Sequence, residues 1–227
     1  NLSTIMNSIM ETVCGVCNLV RIKSKQGVGF HNLLSLMRKE FMVHGFEIKI
    51  KTRRHATLNH EEFYVNAYYD ADDDKHNETP IEVLVFHNFD KNEIWDKQHT
   101  SDMLVQIFDA VVHEYRHQRQ SRSRNYVTFS QHPLTPYNEY LSDPDELDAY
   151  ALSIAIELCR NLGKFRALRY MQRLSYLSKF KIQNKFVSPN LNAYVQHFGG
   201  VEHPVIKRLS KKVYIRLKKI DTDYVFV

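Results

Sequence analysis

The sequence HEYRH at residues 113–117 constrains the fold of this chain more than any other feature. It lies in an amphipathic segment that predicts a long helix, which begins at Thr100 or Ser101 and ends near Arg122. Two histidines four residues apart project from one face of a helix and can bind one zinc ion. Glu114, between them, is placed to take a proton from a water molecule on that ion. The segment therefore predicts a helix that binds a metal.

A helical wheel separates the two histidines from the apolar side of this helix. His113 and His117 fall beside Gln106 and Ala110, so neither histidine is expected in the core. If nothing covered them, they would be two exposed histidines on an ordinary surface helix. The apolar side consists of Leu104, Ile107, Phe108, Val111, Val112 and Tyr115.

A second predicted helix is a candidate to cover the histidines. It begins at Asp143, has Pro144 at its first helical position, and continues through Leu158, with Gly163 as its stop. Apolar residues occupy most of its circumference, which predicts a buried helix. One polar stripe runs along it and consists of Glu146, Tyr150, Ser153 and Glu157.

Glu146 is the predicted third metal ligand, because a buried carboxylate needs a partner and a metal ion is a strong one. The alternative is a capping box, in which Glu146 turns back to the helix start at Asp143. Capping explains nothing beyond the first turn, whereas the polar stripe continues, and this favours the metal. The fallback ligands are Asp143, Asp145, Asp148 and His132.

These residues resemble a zincin metallopeptidase with a glutamate as third ligand, of the compact gluzincin type. The matching segments are HEYRH and, after 28 intervening residues, Glu146-Leu-Asp-Ala149. They are similar to small metallopeptidases encoded by bacteria and their phages, over roughly His31 to Arg160. Thermolysin-type members place an aspartate four residues after the ligand glutamate, where this chain has Tyr150. Either Asp148 or Glu157 would then orient a ligand histidine, or the register differs from that of these members.

The resemblance implies a zinc metalloendopeptidase that hydrolyses peptide bonds of a protein or peptide substrate, with one Zn²⁺ ion as cofactor. Glu114 would pass a proton from the attacking water to the leaving amine, and Tyr150 would stabilise the oxyanion. The substrate would lie along the strand 81–86 if that strand is the edge of its sheet. Rival oxyanion donors are Tyr126, Tyr137, Tyr140 and His132.

The order of predicted elements indicates an α+β fold, with a small, mainly antiparallel sheet packed on the active-site helix and a helical, basic C-terminal part. We predict two domains, a zincin-like catalytic domain at 1–160 and a basic helical subdomain at 161–227. The acidic stretch at 70–80 is predicted to be a solvated hairpin loop. The predicted strands are 46–52, 63–69 and 81–86, and the other predicted helices are 31–44, 165–180, 190–198 and 204–219.

Residues 160–220 form a basic block, with fifteen Lys or Arg and one acidic residue, Glu202. Such an excess of positive charge predicts binding to nucleic acid or another polyanion. The alternatives are the solvated face of an amphipathic helix, an acidic protein substrate, or docking onto another copy of the chain. The predicted nucleic-acid-binding residues are Lys207, Arg208, Lys211, Lys212 and Arg216.

The three cysteines, an odd count, favour reduced thiols over a disulfide framework. Cys14 and Cys17 are spaced as C-x-x-C, but a zinc ribbon would need a second pair. No apolar run approaches about 18 residues, and no signal-peptide pattern opens the sequence. We therefore expect a protein of the cytoplasm or of the inside of a virus particle, neither secreted nor bound to a membrane.

Two classes of function compete. The first is a zinc metallopeptidase acting inside a cell or a virus particle, and a narrower version is a toxin or effector that cleaves one host protein. The second is a nucleic-acid-associated or virion assembly protein whose zinc site is structural or relict. A structural zinc is closed by four protein ligands, whereas a catalytic zinc keeps a water molecule, so the ligands separate the two classes.

Overall fold

The structure is a computed structural model that describes residues 2–24, 27–59, 62–90, 93–127, 136–179 and 187–221. It divides into two compact units. One consists mainly of Ser8–Val127 and is called the sheet unit; the other consists mainly of Thr128–Val225 with Asn1–Asn7 and is called the helical unit. The predicted domains at 1–160 and 161–227 have other bounds and stay a prediction.

The α+β fold class is confirmed. The helices of the described residues are α1 (Leu2–Lys23), α2 (Phe30–Val43), α3 (Ala71–Lys75), α4 (Lys97–Ser123), α5 (Tyr137–Ser142), α6 (Pro144–Leu162), α7 (Lys164–Gln172), α8 (Leu174–Lys179), α9 (Pro189–His197) and α10 (Pro204–Lys219). The strands are β1 (Val28–Gly29), β2 (Ile48–Arg54), β3 (Phe63–Tyr69), β4 (Ile81–His87) and β5 (Ile94–Trp95).

The main sheet of the sheet unit has the strand order β2-β4-β3. β3 pairs antiparallel with β4, and β2 pairs parallel with it. Along β4, every second side chain is buried, beginning with Ile81, Val83 and Val85. This alternation places one face of the strand in the core, as its sequence predicts.

The condition for a substrate along 81–86 is not met, because β4 is the central strand of this sheet and not its edge. Its backbone groups pair with β2 on one side and with β3 on the other. Alternation along a strand fixes which side chains are buried, but it does not fix the order of the strands. At the β3 edge, the Val65 amide donates a hydrogen bond to Oε1 of Gln106 on α4, at 3.0 Å.

Helix α4 packs on this sheet against β3 and β4. Its predicted apolar side is buried except for Tyr115, and includes Leu104, Ile107 and Phe108. The helix begins at Lys97, earlier than predicted, because Asp96 caps it by accepting the His99 amide at 2.8 Å. The predicted helix that contains HEYRH is therefore present as α4 and packs on the sheet.

The acidic stretch between β3 and β4 is less solvated than predicted. Asp70 caps the short helix α3, and Asp74 at the end of that helix is only 4% exposed. The Asp74 carboxylate accepts hydrogen bonds from Gln118 Nε2 at 3.0 Å and from two nitrogens of Arg122 at 2.9 and 2.6 Å. The Tyr69 hydroxyl donates to it at 3.0 Å. These bonds fasten the connection between the strands to the C-terminal half of α4.

The helical unit is built around α6. This helix is buried over most of its length, as predicted, and it contacts α5, α7, α9 and α10. Asp143 caps it, Pro144 occupies its first turn and Gly163 ends it with a φ of 73°. Helix α10 turns its apolar side inward through Val205, Ile206, Leu209, Val213 and Leu217.

Helix α1 lies outside the sequence predictions. It buries Met10, Val13, Val16, Cys17 and Val20, which recur at helical spacing. None of the helices in the described ranges combines the length and the apolar character that crossing a membrane requires.

We predict that Asp74→Asn lowers the free energy of unfolding by about 1–3 kcal/mol at pH 6, because Arg122 and Gln118 lose a charged acceptor. Burial raises the pKa of Asp74, but the hydrogen bonds from Arg122 and Tyr69 outweigh burial and hold that pKa below its ordinary value. A depressed carboxyl pKa stabilises the fold above the pKa of the unfolded state, about 3.9, and this contribution disappears as the pH falls.

Urea unfolding at pH 6 and at pH 3 measures this effect. The difference between parent and variant should be large at pH 6 and should shrink at pH 3. Asp72→Asn is the matched control, since Asp72 lies exposed on the same short helix. Equal stability of the parent and Asp74→Asn at pH 6 would contradict the role given to the carboxylate.

Candidate metal centre

Helix α4 carries the first two candidate ligands one turn apart. The His113 and His117 rings are half-buried, with centroids 4.9 Å apart, and their Nε2 atoms approach to 3.2 Å. Zinc binds imidazole nitrogen at about 2.0–2.1 Å in tetrahedral geometry, which separates two ligand nitrogens by roughly 3.3–3.4 Å. The observed spacing therefore suits one ion between the two nitrogens.

Gln120 contacts one of these rings. Its side-chain oxygen lies 3.0 Å from Nδ1 of His117. With the amide oxygen in this position, a neutral ring donates from Nδ1 and keeps the lone pair of Nε2, directed at His113. Two such nitrogens at 3.2 Å require a proton or a cation between them. This tautomer is the one a metal ligand needs.

Gln120 is a candidate site residue that the sequence does not predict. The signal for it was an amide three residues after a candidate ligand, because residues three apart meet on one helix face. Gln120 is also buried, so its side chain has little freedom to turn away from the ring. We assign it the role of positioning His117.

Glu114 lies between the two histidines in the sequence and is 8% exposed. A carboxylate this deeply buried is costly unless hydrogen bonds or a nearby cation stabilise it. Its position on the helix that carries both histidines agrees with the role of a proton acceptor next to a bound cation.

Glu146 lies in the first turn of α6 and is 5% exposed. Asp143 caps this turn by accepting the amides of Asp145 at 2.8 Å and of Glu146 at 3.4 Å. In a capping box, the glutamate would bind the Asp143 amide, but that amide donates to the carbonyl of Tyr140 at 3.1 Å. This observation favours a role other than capping for the Glu146 side chain.

His113 and His117 on α4, together with Glu146 of the helical unit, are a group that could hold one metal ion. Among the described residues, this is the group of histidine, cysteine and acidic side chains with that property. Two imidazoles and one carboxylate are the donor set of a catalytic zinc site that keeps a position for water. The residues therefore fit the metal that the sequence predicts.

The other predicted members of the site have contacts elsewhere in the helical unit. Asp148 pairs with Arg216 at 2.6 Å, and Glu157 accepts hydrogen bonds from Ser188 and Asn190 at the start of α9. These contacts hold α10 and α9 against α6. Of the fallback ligands, Asp143 is the helix cap, and His132 lies outside the described residues.

Tyr150 is half-buried one turn after Glu146, and its ring packs edge-on against Tyr194 with centroids 5.1 Å apart. Of its rivals, Tyr137 is exposed and stacks on Tyr140. Tyr126 follows the end of α4 with a φ of 61°. The role of Tyr150 as oxyanion donor stays a prediction.

The five predicted nucleic-acid-binding residues fall into two groups on α10. Lys207, Arg208 and Lys211 are exposed. Lys212 and Arg216 are half-buried, and both lie beside Asp148, at 3.8 and 2.6 Å. The charges of this second group are compensated within the helical unit.

Cys14 and Cys17 are buried in the sheet unit as free thiols. Burial raises the pKa of both, and Asn18 donates a hydrogen bond to the sulfur of Cys14 at 3.4 Å. A thiol that keeps its proton is a poor nucleophile and a poor metal ligand. The two cysteines therefore belong to the core.

Comparison with known proteins finds no family model, no curated protein and no solved structure that matches this chain.

We predict that Gln120→Leu weakens zinc binding about 10–100-fold, because His117 loses the acceptor that fixes its tautomer. Gln120→Glu keeps an acceptor and should bind at least as tightly as the parent. Competition with a chromogenic chelator measures the affinity. Gln98→Leu, in the exposed first turns of α4, is the control. An unchanged affinity in Gln120→Leu would remove Gln120 from the site.

Proposed function

We propose that this protein is a zinc-dependent metallopeptidase that hydrolyses peptide bonds of a protein substrate. The observation that supports this most strongly is the His113–His117 pair, with Nε2 atoms 3.2 Å apart and the Gln120 side-chain oxygen 3.0 Å from Nδ1 of His117. The buried Glu114 on the same helix supplies the acid–base group that hydrolysis needs.

In the proposed reaction, a water molecule attacks the carbonyl carbon of the substrate and the bond to the amide nitrogen breaks. A zinc ion held by His113, His117 and Glu146 would acidify that water and polarise the carbonyl. Glu114 accepts the proton of the attacking water and passes it to the leaving nitrogen, so the products are a carboxylic acid and an amine. Tyr150 donates a hydrogen bond to the oxygen on which negative charge develops.

A hydrolytic role is favoured over a structural zinc by the donor set. A structural zinc is closed by four protein ligands, usually with several cysteines. In the described part of the chain, the candidate group consists of three residues and includes no cysteine. It also places next to the ligands a buried glutamate, which a purely structural site does not require.

Glu114→Gln should bind zinc with the affinity of the parent but lose hydrolysis by about 10²–10⁴-fold, because an amide cannot accept the proton. Cleavage of an unfolded protein such as casein, followed by mass spectrometry of the products, measures the activity. Glu78→Gln makes the same change at an exposed position and should remain fully active. Proteolysis by Glu114→Gln at the parent's rate would disprove the proposal.

The role of Tyr150 has its own test. Tyr150→Phe should lower kcat about 10²–10³-fold with little change in KM or zinc affinity, because the hydroxyl acts on charge that develops only in the transition state. The same substitution at Tyr140 and Tyr137 should leave kcat within a fewfold of the parent. A large loss in one of those variants, with Tyr150→Phe active, would transfer the role to that tyrosine.

A further inference from the structure

The exposed faces of α7 and α10 adjoin in the helical unit and form one basic surface. The two helices pack against each other, and Gln172 of α7 donates a hydrogen bond to the Tyr214 hydroxyl of α10 at 3.0 Å. On each helix, the residues of this surface recur at i, i+4 and i+7, so they share one face. The surface, called the α7/α10 basic face, consists of Phe165, Arg169, Gln172, Lys207, Lys211, Tyr214 and Lys218.

The charge of this face is only weakly compensated by neighbouring acids. Lys207 pairs with Glu202 at 3.0 Å, but both side chains are well exposed, so solvent screens the pair. Within the described residues, Arg169, Lys211 and Lys218 form no ion pair with an acidic side chain. Asp148 instead neutralises the other side of α10. A positive surface therefore faces the solvent.

Aromatic rings lie among these charges. The Phe165 side chain is 67% exposed, and the guanidinium of Arg169 lies 4.5 Å from its ring centroid. The ammonium of Lys218 lies 4.8 Å from the ring centroid of Tyr214. A large ring that stays in solvent beside a cation can stack on an unpaired base while the cation contacts phosphate.

We propose that the α7/α10 basic face binds single-stranded nucleic acid. Duplexes offer phosphates, but their bases are already stacked and cannot use the exposed Phe165. A membrane would need an apolar helix face, whereas α10 buries Val205, Leu209 and Val213 in the unit. An acidic peptide would use the cations and leave the ring without a function. The exposed Phe165 ring therefore favours single-stranded nucleic acid over a duplex, a membrane or an acidic peptide.

Fluorescence anisotropy with a labelled oligothymidylate and the full chain tests the proposal. The triple variant Arg169→Glu, Lys211→Glu and Lys218→Glu should bind at least tenfold more weakly. Because about 0.7 counterions are released per phosphate contact on a single strand, its salt dependence should become shallower by about two. Lys39→Glu, Arg53→Glu and Lys75→Glu together make the same change of charge at exposed positions of the sheet unit and should bind normally.

Phe165→Ala separates base stacking from charge. It should weaken oligothymidylate binding about tenfold, keep the salt dependence, and leave the weaker binding of a duplex of the same sequence unchanged. Glu114→Gln and removal of zinc by a chelator should affect none of these values, so a failure here is distinct from a failure of the proposed hydrolysis.

Three results would each overturn the proposal. The first is that the parent binds no oligothymidylate at low salt. The second is that the control triple loses as much affinity as the α7/α10 triple. The third is that a duplex, oligoglutamate or phosphatidylserine vesicles bind as tightly as the single strand and Phe165→Ala has no effect, which would indicate a general attraction to polyanions.

Discussion

The hydrogen bond between His117 and Gln120 is the interaction on which the candidate metal site depends. It leaves one imidazole lone pair directed at the neighbouring imidazole, an arrangement that suits a shared proton or a cation between the two rings. The geometry is maintained by the helix around it. Helix α4 is capped by Asp96 at its start and tied to Asp74 near its end, so the two histidines lie between fixed points. A helix held at both ends keeps ligand positions constant, which a metal site requires.

The periodic parts of the fold could be predicted from the sequence because they depend on local spacing. The bounds of β3 and α10 agree with the prediction to the residue, and α6 begins after its predicted cap. The strand order could not be predicted, since neighbouring strands are chosen by contacts that alternation does not encode. The sequence likewise predicts Asp74 in solvent, because its partner Arg122 lies 48 residues away and local spacing does not reveal the contact.

Some residues of the candidate site could also be predicted from the sequence, and others could not. His113, Glu114 and His117 could be found from the sequence, because the i, i+4 spacing on a helix is itself the geometry of the ligands. Gln120 belongs to the same local pattern but carries no motif of its own, and only the contact with Nδ1 reveals its role. Glu146 is predicted as a ligand from a polar stripe along α6, but the residues of that stripe have different roles in the structure. Its last member, Glu157, holds the start of α9 through Ser188 and Asn190.

The basic block shows why a count of charges does not define a binding surface. Asp148 engages Lys212 and Arg216, so two of the charges that the sequence suggests for a partner serve the packing of α10 on α6. The cations of Arg169 and Lys211 remain in solvent on a neighbouring face. The charged residues of α10 thus fall into two sets. One set forms ion pairs within the fold, and the other faces the solvent, where a ligand can reach it. An exposed aromatic ring beside a cation then carries more information than further lysines, because the ring can stack on a base while the cation contacts phosphate. Phe165 is such a ring, and its position beside Arg169 is the observation that distinguishes the proposed recognition surface from a merely solvated one.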